Sequence, residues 1–262
     1  MRERWRRALV TGASGGIGEA IAARLAADGV DLVLVARRGE VLDRLAGSLS
    51  ERHGVRAEVL VADLADPVQR AMVEARLLSV DDPVDLLVSC AGGAIAGPLI
   101  AQSARRRVEE VELNCVSVLA LNHAAASAMV PRGRGTIVNV ASGLGWYACP
   151  GGATYSASKA FVHNAGAALR YELRGTGVGV TVVSPGPVDT EAGAGAGLTM
   201  SKVPRFVFAS PDQVALAALN AASTNKAFEQ VNLWSRLFTS ARILPNTVTQ
   251  PLLAAILRRL TA

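Results

Sequence analysis

The stretch Thr11-Gly-Ala-Ser-Gly-Gly-Ile-Gly18, TGASGGIG, decides the fold. It follows the apolar run Ala8–Val10 and leads into GIGEAIAARLAADG, so the local order is strand, glycine turn, helix. Each glycine has a physical task. Gly12 permits the tight turn, Gly16 lets the backbone approach a pyrophosphate, and Gly18 lets the helix pack closely on the strand. The start of that helix then offers free amides to an anion.

Outward from this turn, short apolar runs alternate with longer helical segments: DLVLVA, EVLDRLAGSLSERHG, RAEVLVADL, PVQRAMVEARLLS and VDLLVSCAGG. Strands that are apolar on both faces and alternate with helices predict an α/β fold, a doubly wound parallel sheet with helices on both faces. The alternation continues through a long helix in ARRRVEEVELNCVSVLALNHAAASAM, the strand GTIVNVAS, a helix from near Thr154 towards Arg174, and the strand GVGVTVVSPG. Glycines at 29, 54, 133 and 175 are placed to stop helices cheaply. Residues 191–210 read as a loop or lid. A helix is expected in PDQVALAALNAAS and a last strand in FEQVNLW, with an apolar extension over 234–262. The 262 residues, half of them hydrophobic, fit one domain with a large core.

Composition removes several classes of function. The net charge is +5, but the arginines are scattered or gathered at the N-terminus, and aromatics make up only 4%, so base stacking and nucleic-acid binding are not expected. Cys90, Cys115 and Cys149 lack metal-ligand spacing, and a reducing, cytoplasmic setting follows as the default. No run of 18 consecutive apolar residues is present, so no transmembrane segment is expected.

The strand DLVLVARR ends where a carboxylate would bind the ribose 2′-hydroxyl of an NAD-type cofactor, roughly 20 residues beyond the glycine turn. Ala36 stands there, followed by Arg37 and Arg38. A guanidinium in place of a carboxylate favours a 2′-phosphate, hence NADP(H) over NAD(H), with Arg37 the expected contact and Arg38 either a second contact or a solvated helix start. Asp63, followed by Leu64, ends the third strand and reaches an adenine or caps the next helix with Asp66. Cys90, Ala91 and Gly92 follow the fourth strand at the same carboxyl edge.

The sequence YSASK places Tyr155 and Lys159 four residues apart, on one face of a helix. Tyrosine has a pKa of about 10 in water, and a neighbouring ammonium lowers it towards the range where a proton is exchanged with a carbonyl or alcohol oxygen. Ser142 ends the preceding strand, where its hydroxyl can hold a substrate oxygen. Asn114 is a polar residue in an apolar stretch and needs partners; a helix carbonyl and a water leading to Lys159 are expected.

Taken in order, TGASGGIG, Asn114, Ser142, YSASK and PGPVDT resemble the short-chain dehydrogenase/reductase family in its single-domain, Rossmann-type form, over residues 7 to 190. The resemblance implies a catalytic tetrad of Asn114, Ser142, Tyr155 and Lys159, and a cofactor turn of Gly12, Ser14, Gly16, Ile17 and Gly18. It also implies that Pro185, Gly186, Val188 and Thr190 border the nicotinamide, and that copies pair through the helices carrying Asn114 and Tyr155 into homodimers or homotetramers. Three features depart from the family. SCAGG stands where many members read NNAG, FEQVNLW replaces a VDGG strand, and the glycine turn lacks a basic residue.

The expectation is an NADPH-dependent oxidoreductase interconverting a carbonyl and an alcohol on a hydrophobic, lipid-like, acyl or steroid-like substrate. The alternative is an NADP(H)-binding regulator or scaffold. His163 is expected to pack rather than relay protons, and no metal constellation is visible. Cys149 either lines the substrate pocket or is an ordinary apolar neighbour. PLLAAILRRL is read first as dimer packing, then as a pocket wall, then as an interfacial helix.

Overall fold

A computed structural model describes residues 4–188 and 205–261. Its sheet contains β1 (Arg7–Thr11), β2 (Asp31–Ala36), β3 (Ala57–Val61), β4 (Leu86–Ser89), β5 (Gly135–Val140), β6 (Val178–Val183) and β7 (Phe228–Glu229). All are parallel, in the order β3-β2-β1-β4-β5-β6-β7. The winding reverses between β1 and β4, which opens a crevice at their carboxyl ends.

The described helices are α1 (Gly16–Ala27), α2 (Gly39–His53), α3 (Pro67–Leu78), α4 (Ala104–Val111), α5 (Ser117–Met129), α6 (Ala153–Glu172), α7 (Pro211–Ser223), α8 (Leu233–Ser240) and α9 (Asn246–Thr261). Neighbouring residues of one strand feed opposite cores. Val10 and Leu34 join Ile21, Leu25, Leu42 and Leu219 on one face, while Leu9 and Val33 join Val73, Leu121 and Met129 on the other. Each such buried side chain stabilises the fold by about 1.5–3 kcal/mol relative to exposure, which fixes the strand register. Trp5 extends this core from before β1, and its indole donates to Thr136 Oγ1 at 3.0 Å.

The sequence predicts one long helix over 104–129; the chain instead inserts a π-helical turn at Glu112–Val116 between α4 and α5. The helix Ala104–Arg132 is, by length and composition alone, long and apolar enough to cross a membrane. Half of its most apolar window is nevertheless buried within the fold. The predicted strand FEQVNLW is paired only at Phe228 and Glu229. Asn232 then caps α8 by accepting from Ser235 N, and Ser235 Oγ accepts from Asn232 N, which turns the chain into a helix. Thr190 and residues 191–204 of the expected loop lie outside the described residues. Its end, Arg205–Val207, is a 3₁₀ turn, and Val188 bridges Ala209.

Candidate active site

The glycine turn has the shape expected of an anion cradle. Gly12 and Gly16 take φ values of +69° and +57°, and a Cβ on Gly12 would approach the Ala91 backbone to 3.0 Å. A Cβ on Gly18 would run into the Gly12 carbonyl. Gly15 precedes α1 and supplies no side-chain cap, so the first amides of that helix are left to a bound anion. Thr11 Oγ1 accepts from the amides of Cys90 and Ala91, both at 3.0 Å, tying the ends of β1 and β4 together beneath the turn.

The two arginines after β2 diverge. Arg38 lies against the turn, donating Nε to Ser14 Oγ at 3.2 Å and Nη2 to the Ser14 carbonyl at 2.7 Å. Arg37, favoured by the sequence, is exposed and pairs with Asp63 at 3.8 Å. Asp63 also accepts from Ala65 N, while Asp66 caps α3 through the amides of Val68 and Gln69. The Leu64 side chain packs in the core rather than at the crevice, and Ile17 packs partly on the opposite core. A cleft of about 460 Å³ runs between Arg37, Asp63, Gly93, Ile95 and Arg106.

The tetrad residues converge at the carboxyl end of β5. Ser142 starts a 3₁₀ turn, its Oγ accepting from Leu144 N at 3.3 Å, and its hydroxyl lies close enough to Tyr155 to favour the tyrosinate. Lys159 Nζ is buried and donates to the Val140 carbonyl at 3.0 Å, standing 5.8 Å from the Tyr155 ring centre. Asn114 projects from the π turn, where its amide brackets one peptide. Nδ2 donates to the Gly93 carbonyl at 2.8 Å and Oδ1 accepts from Gly93 N at 3.0 Å. The expected helix carbonyl is therefore replaced by a loop peptide, and Nδ2 also reaches Ser158 Oγ on α6. Gly92 is pressed between Asn114 Oδ1 and Lys159 Nζ; a Cβ there would meet them at 3.1 and 3.2 Å.

Burial governs the ionisation of this group. Desolvation raises the Tyr155 pKa, the Ser142 hydroxyl opposes that rise, and the charge of Glu110 adds to it. Desolvation likewise lowers that of Lys159, while Cys90 and Cys115 act the other way. The sequence predicts a tyrosine acidified by its lysine; in the chain alone, removal from water is the largest influence and raises the tyrosine's pKa. Burial also pushes the Cys90 thiol up to about 12 and Cys149 to about 11.

The C-terminal helices cover the Ser142 side. The Phe238 ring lies near Gly143, Tyr147 donates to the Phe238 carbonyl, and Leu253 of α9 packs with Tyr147 and Cys149. The extension thus packs on its own chain through Leu253. Gly143 N donates to the Pro185 carbonyl at 2.9 Å, and Gly186 faces Ser235, so the PGPV segment borders the same wall. His163 stacks on Trp146 at 4.2 Å between ring centres, in keeping with packing. Glu110, which lines the cleft, and its partner Arg107 are buried against the loop after β4, although sequence reasoning missed them, because charges on a helix rich in arginine and glutamate read as solvated.

A model of the short chain dehydrogenase family matches residues 6–200. The chain belongs to that family. A very-long-chain 3-oxoacyl-CoA reductase from Phaeosphaeria nodorum is 31% identical over 87% of this chain and 68% of its own length. A glycine betaine reductase from Emericella nidulans is 37% identical over 65% of this chain, but the match spans only 13% of that protein. Among solved structures, a short-chain dehydrogenase from Sphingobium yanoikuyae in complex with NADPH has TM-score 0.83 and 35% identity, covering 90% of this chain and 93% of that one. A bulky-bulky ketone specific alcohol dehydrogenase from Comamonas testosteroni has TM-score 0.78 and 31% identity, covering 90% and 92%.

Proposed function

We propose that this short-chain dehydrogenase is an NADP(H)-dependent oxidoreductase that interconverts a carbonyl and an alcohol on a hydrophobic substrate. The convergence of Ser142, Tyr155 and Lys159 beside a glycine cradle carries the reading. The NADPH complex of the Sphingobium relative and the ketone and acyl-CoA substrates named for other relatives support it.

The amides of Gly16, Ile17 and Gly18 would hold the pyrophosphate. Arg38 would hold the 2′-phosphate with Arg37 beside it, Asp63 would serve the adenine end, and Lys159 the nicotinamide ribose. When bound, the cofactor supplies or takes up the hydride. Ser142 holds the substrate oxygen, and Tyr155 gives it a proton in reduction or takes one in oxidation. Burial keeps the proton on Tyr155 at rest, the form that reduction consumes. Lys159 stabilises the tyrosinate as it forms. Tyr147, Phe238 and Leu253 supply an apolar wall that favours a hydrophobic substrate and keeps water from the reacting oxygen.

The test follows absorbance loss of NADPH, and separately NADH, over steroid, acyl, aryl and sugar carbonyls. Turnover with NADPH that disappears in Tyr155→Phe is expected. NADPH binding with no turnover across the panel, or faster turnover with NADH, would overturn the reading.

A further inference from the structure

Three side chains, two on α4 and one on the π turn after it, grip the loop that follows β4. Arg107 donates to the carbonyls of Ile95 (2.9 Å), Gly97 (3.3 Å) and Pro98 (3.2 Å). Glu110 accepts from Ile95 N at 3.1 Å and pairs with Arg107 at 3.5 Å. Four residues on, Asn114 brackets the Gly93 peptide. Spacings of three and four residues put all three on one side of the helix, facing a loop whose anchored peptides run from Gly93 to Pro98. The same loop is tied to the approach to α6, because Gly97 N donates to the Gly151 carbonyl at 2.8 Å.

Glu110 is the unusual member. Its side chain is 1% exposed, where a carboxylate is costly without partners. Burial raises its pKa above the ordinary carboxylate value, and the Ile95 amide and the Arg107 guanidinium oppose that rise. An apolar residue would fill this place without such support, so the carboxylate calls for a role.

We propose that Glu110 is a positioning residue for Tyr155, its charge buried beside Arg107 and bonded to Ile95 N in a loop that Gly97 ties to Gly151, four residues ahead of that tyrosine. This rests on the reading of Tyr155 as the proton-exchanging group, but it is tested without turnover. The charged and titratable groups facing the pair are Arg107 from α4 and Lys159 from α6, with Cys115 from the π turn and Cys90 beyond β4 near the lysine. Glu110 raises the Tyr155 pKa, so its neutralisation lowers it.

The experiment is a spectrophotometric titration of tyrosinate in the full chain. Tyr155 is isolated as the difference between the protein and its Tyr155→Phe variant, in both the natural and the Glu110→Gln backgrounds. Gln keeps an acceptor for Ile95 N and removes the charge. The Tyr155 titration should move down by about one pH unit, the scale of a single charge's effect at an effective dielectric of about 20. An unmoved titration in folded Glu110→Gln overturns the proposal. Should that variant fail to fold, Glu110→Asp carries the test, since it keeps the charge but is too short to hold Ile95 N. Amide exchange across 93–98 should then quicken at least severalfold while the tyrosine titration stays high. Exchange as slow as in the natural chain overturns it. Because neither readout uses a substrate, an absence of ketone reduction would count against the proposed activity and leave this coupling measurable.

Discussion

Lys159 is bonded to the Val140 carbonyl at 3.0 Å, not to the Tyr155 hydroxyl, and meets the tyrosine only through space, 5.8 Å from its ring centre. The strand end therefore fixes the lysine whether or not the tyrosine is charged. Its ammonium is held in a buried place that lowers its pKa, so the fold bears the cost of a charge that the proposed chemistry uses.

Replacing Lys159 by Met should separate stability from activity. A lowered folded-state pKa means that the ammonium is disfavoured by folding and that stability is lost as pH falls through the folded value. Lys159→Met should melt no lower than the natural chain near neutral pH, yet lose at least about a hundredfold in turnover. Calorimetry with an NADPH assay checks both; a clear fall in melting temperature would contradict the argument.

Tyr155 acts in the opposite pH range. Its folded-state pKa is raised, so the proton it keeps contributes stability that is complete below the unfolded value of about 10 and is lost as pH rises through the folded value. In Tyr155→Phe that loss is absent. Urea midpoints measured from neutral pH to above this range should fall more steeply for the natural chain than for the variant, and parallel curves would show that burial does not govern the tyrosine.

Arg38 and Arg37 should differ in their effect on cofactor choice. Arg38 lies over the glycine turn, whereas Arg37 is partly engaged by Asp63 at the surface. Losing a charge-assisted phosphate contact is expected to raise the KM for NADPH by about tenfold or more in Arg38→Ala, with little change for NADH. Arg37→Ala should do less. Kinetics with both cofactors decide it, and the reverse ranking would return the phosphate contact to Arg37.

Gly145→Ala tests the fit between the Ser142 turn and α6. A Cβ there would lie 2.7 Å from the Lys159 backbone carbon and 2.9 Å from its carbonyl oxygen, where no flexible side chain can yield. The helix must shift, at about 2–3 kcal/mol, carrying Tyr155 and Lys159 with it. Urea unfolding should show that loss, and an unchanged midpoint would mean that the turn slides freely.

The alternating strands and helices, the glycine turn and the placing of Tyr155 and Lys159 on one helix were legible because each depends on a short local pattern: two-faced apolar runs, a spacing of glycines, and two residues one helical turn apart. Other features depend on direction or contact. Arg37 and Arg38 are neighbours on one chain, and only the entry into α2 decides which of them meets Ser14. Arg107 and Glu110 lie among Arg105, Arg106 and Glu109, which are solvated charges of the same kind, so burial alone distinguishes them. The expected strand after Phe228 failed at Asn232, whose capping bond with Ser235 outcompetes the apolar run. The effect of burial on Tyr155 was not legible, because spacing reports a nearby charge but not the water withdrawn around it.

The shortness of β7 shapes how this chain meets its neighbours in a crowded solution. A long bare strand at the rim of a sheet invites another polypeptide to add itself, ladder by ladder, until the result is insoluble. Here the rim beside β6 is two residues long, with Lys226 and Arg236 both paired to Glu229 around it. At the opposite rim, Glu58 of β3 is paired with Arg76. The sheet is therefore guarded at both borders, by brevity at one and by charge at the other, and its parallel core can stay apolar on both faces without recruiting foreign strands.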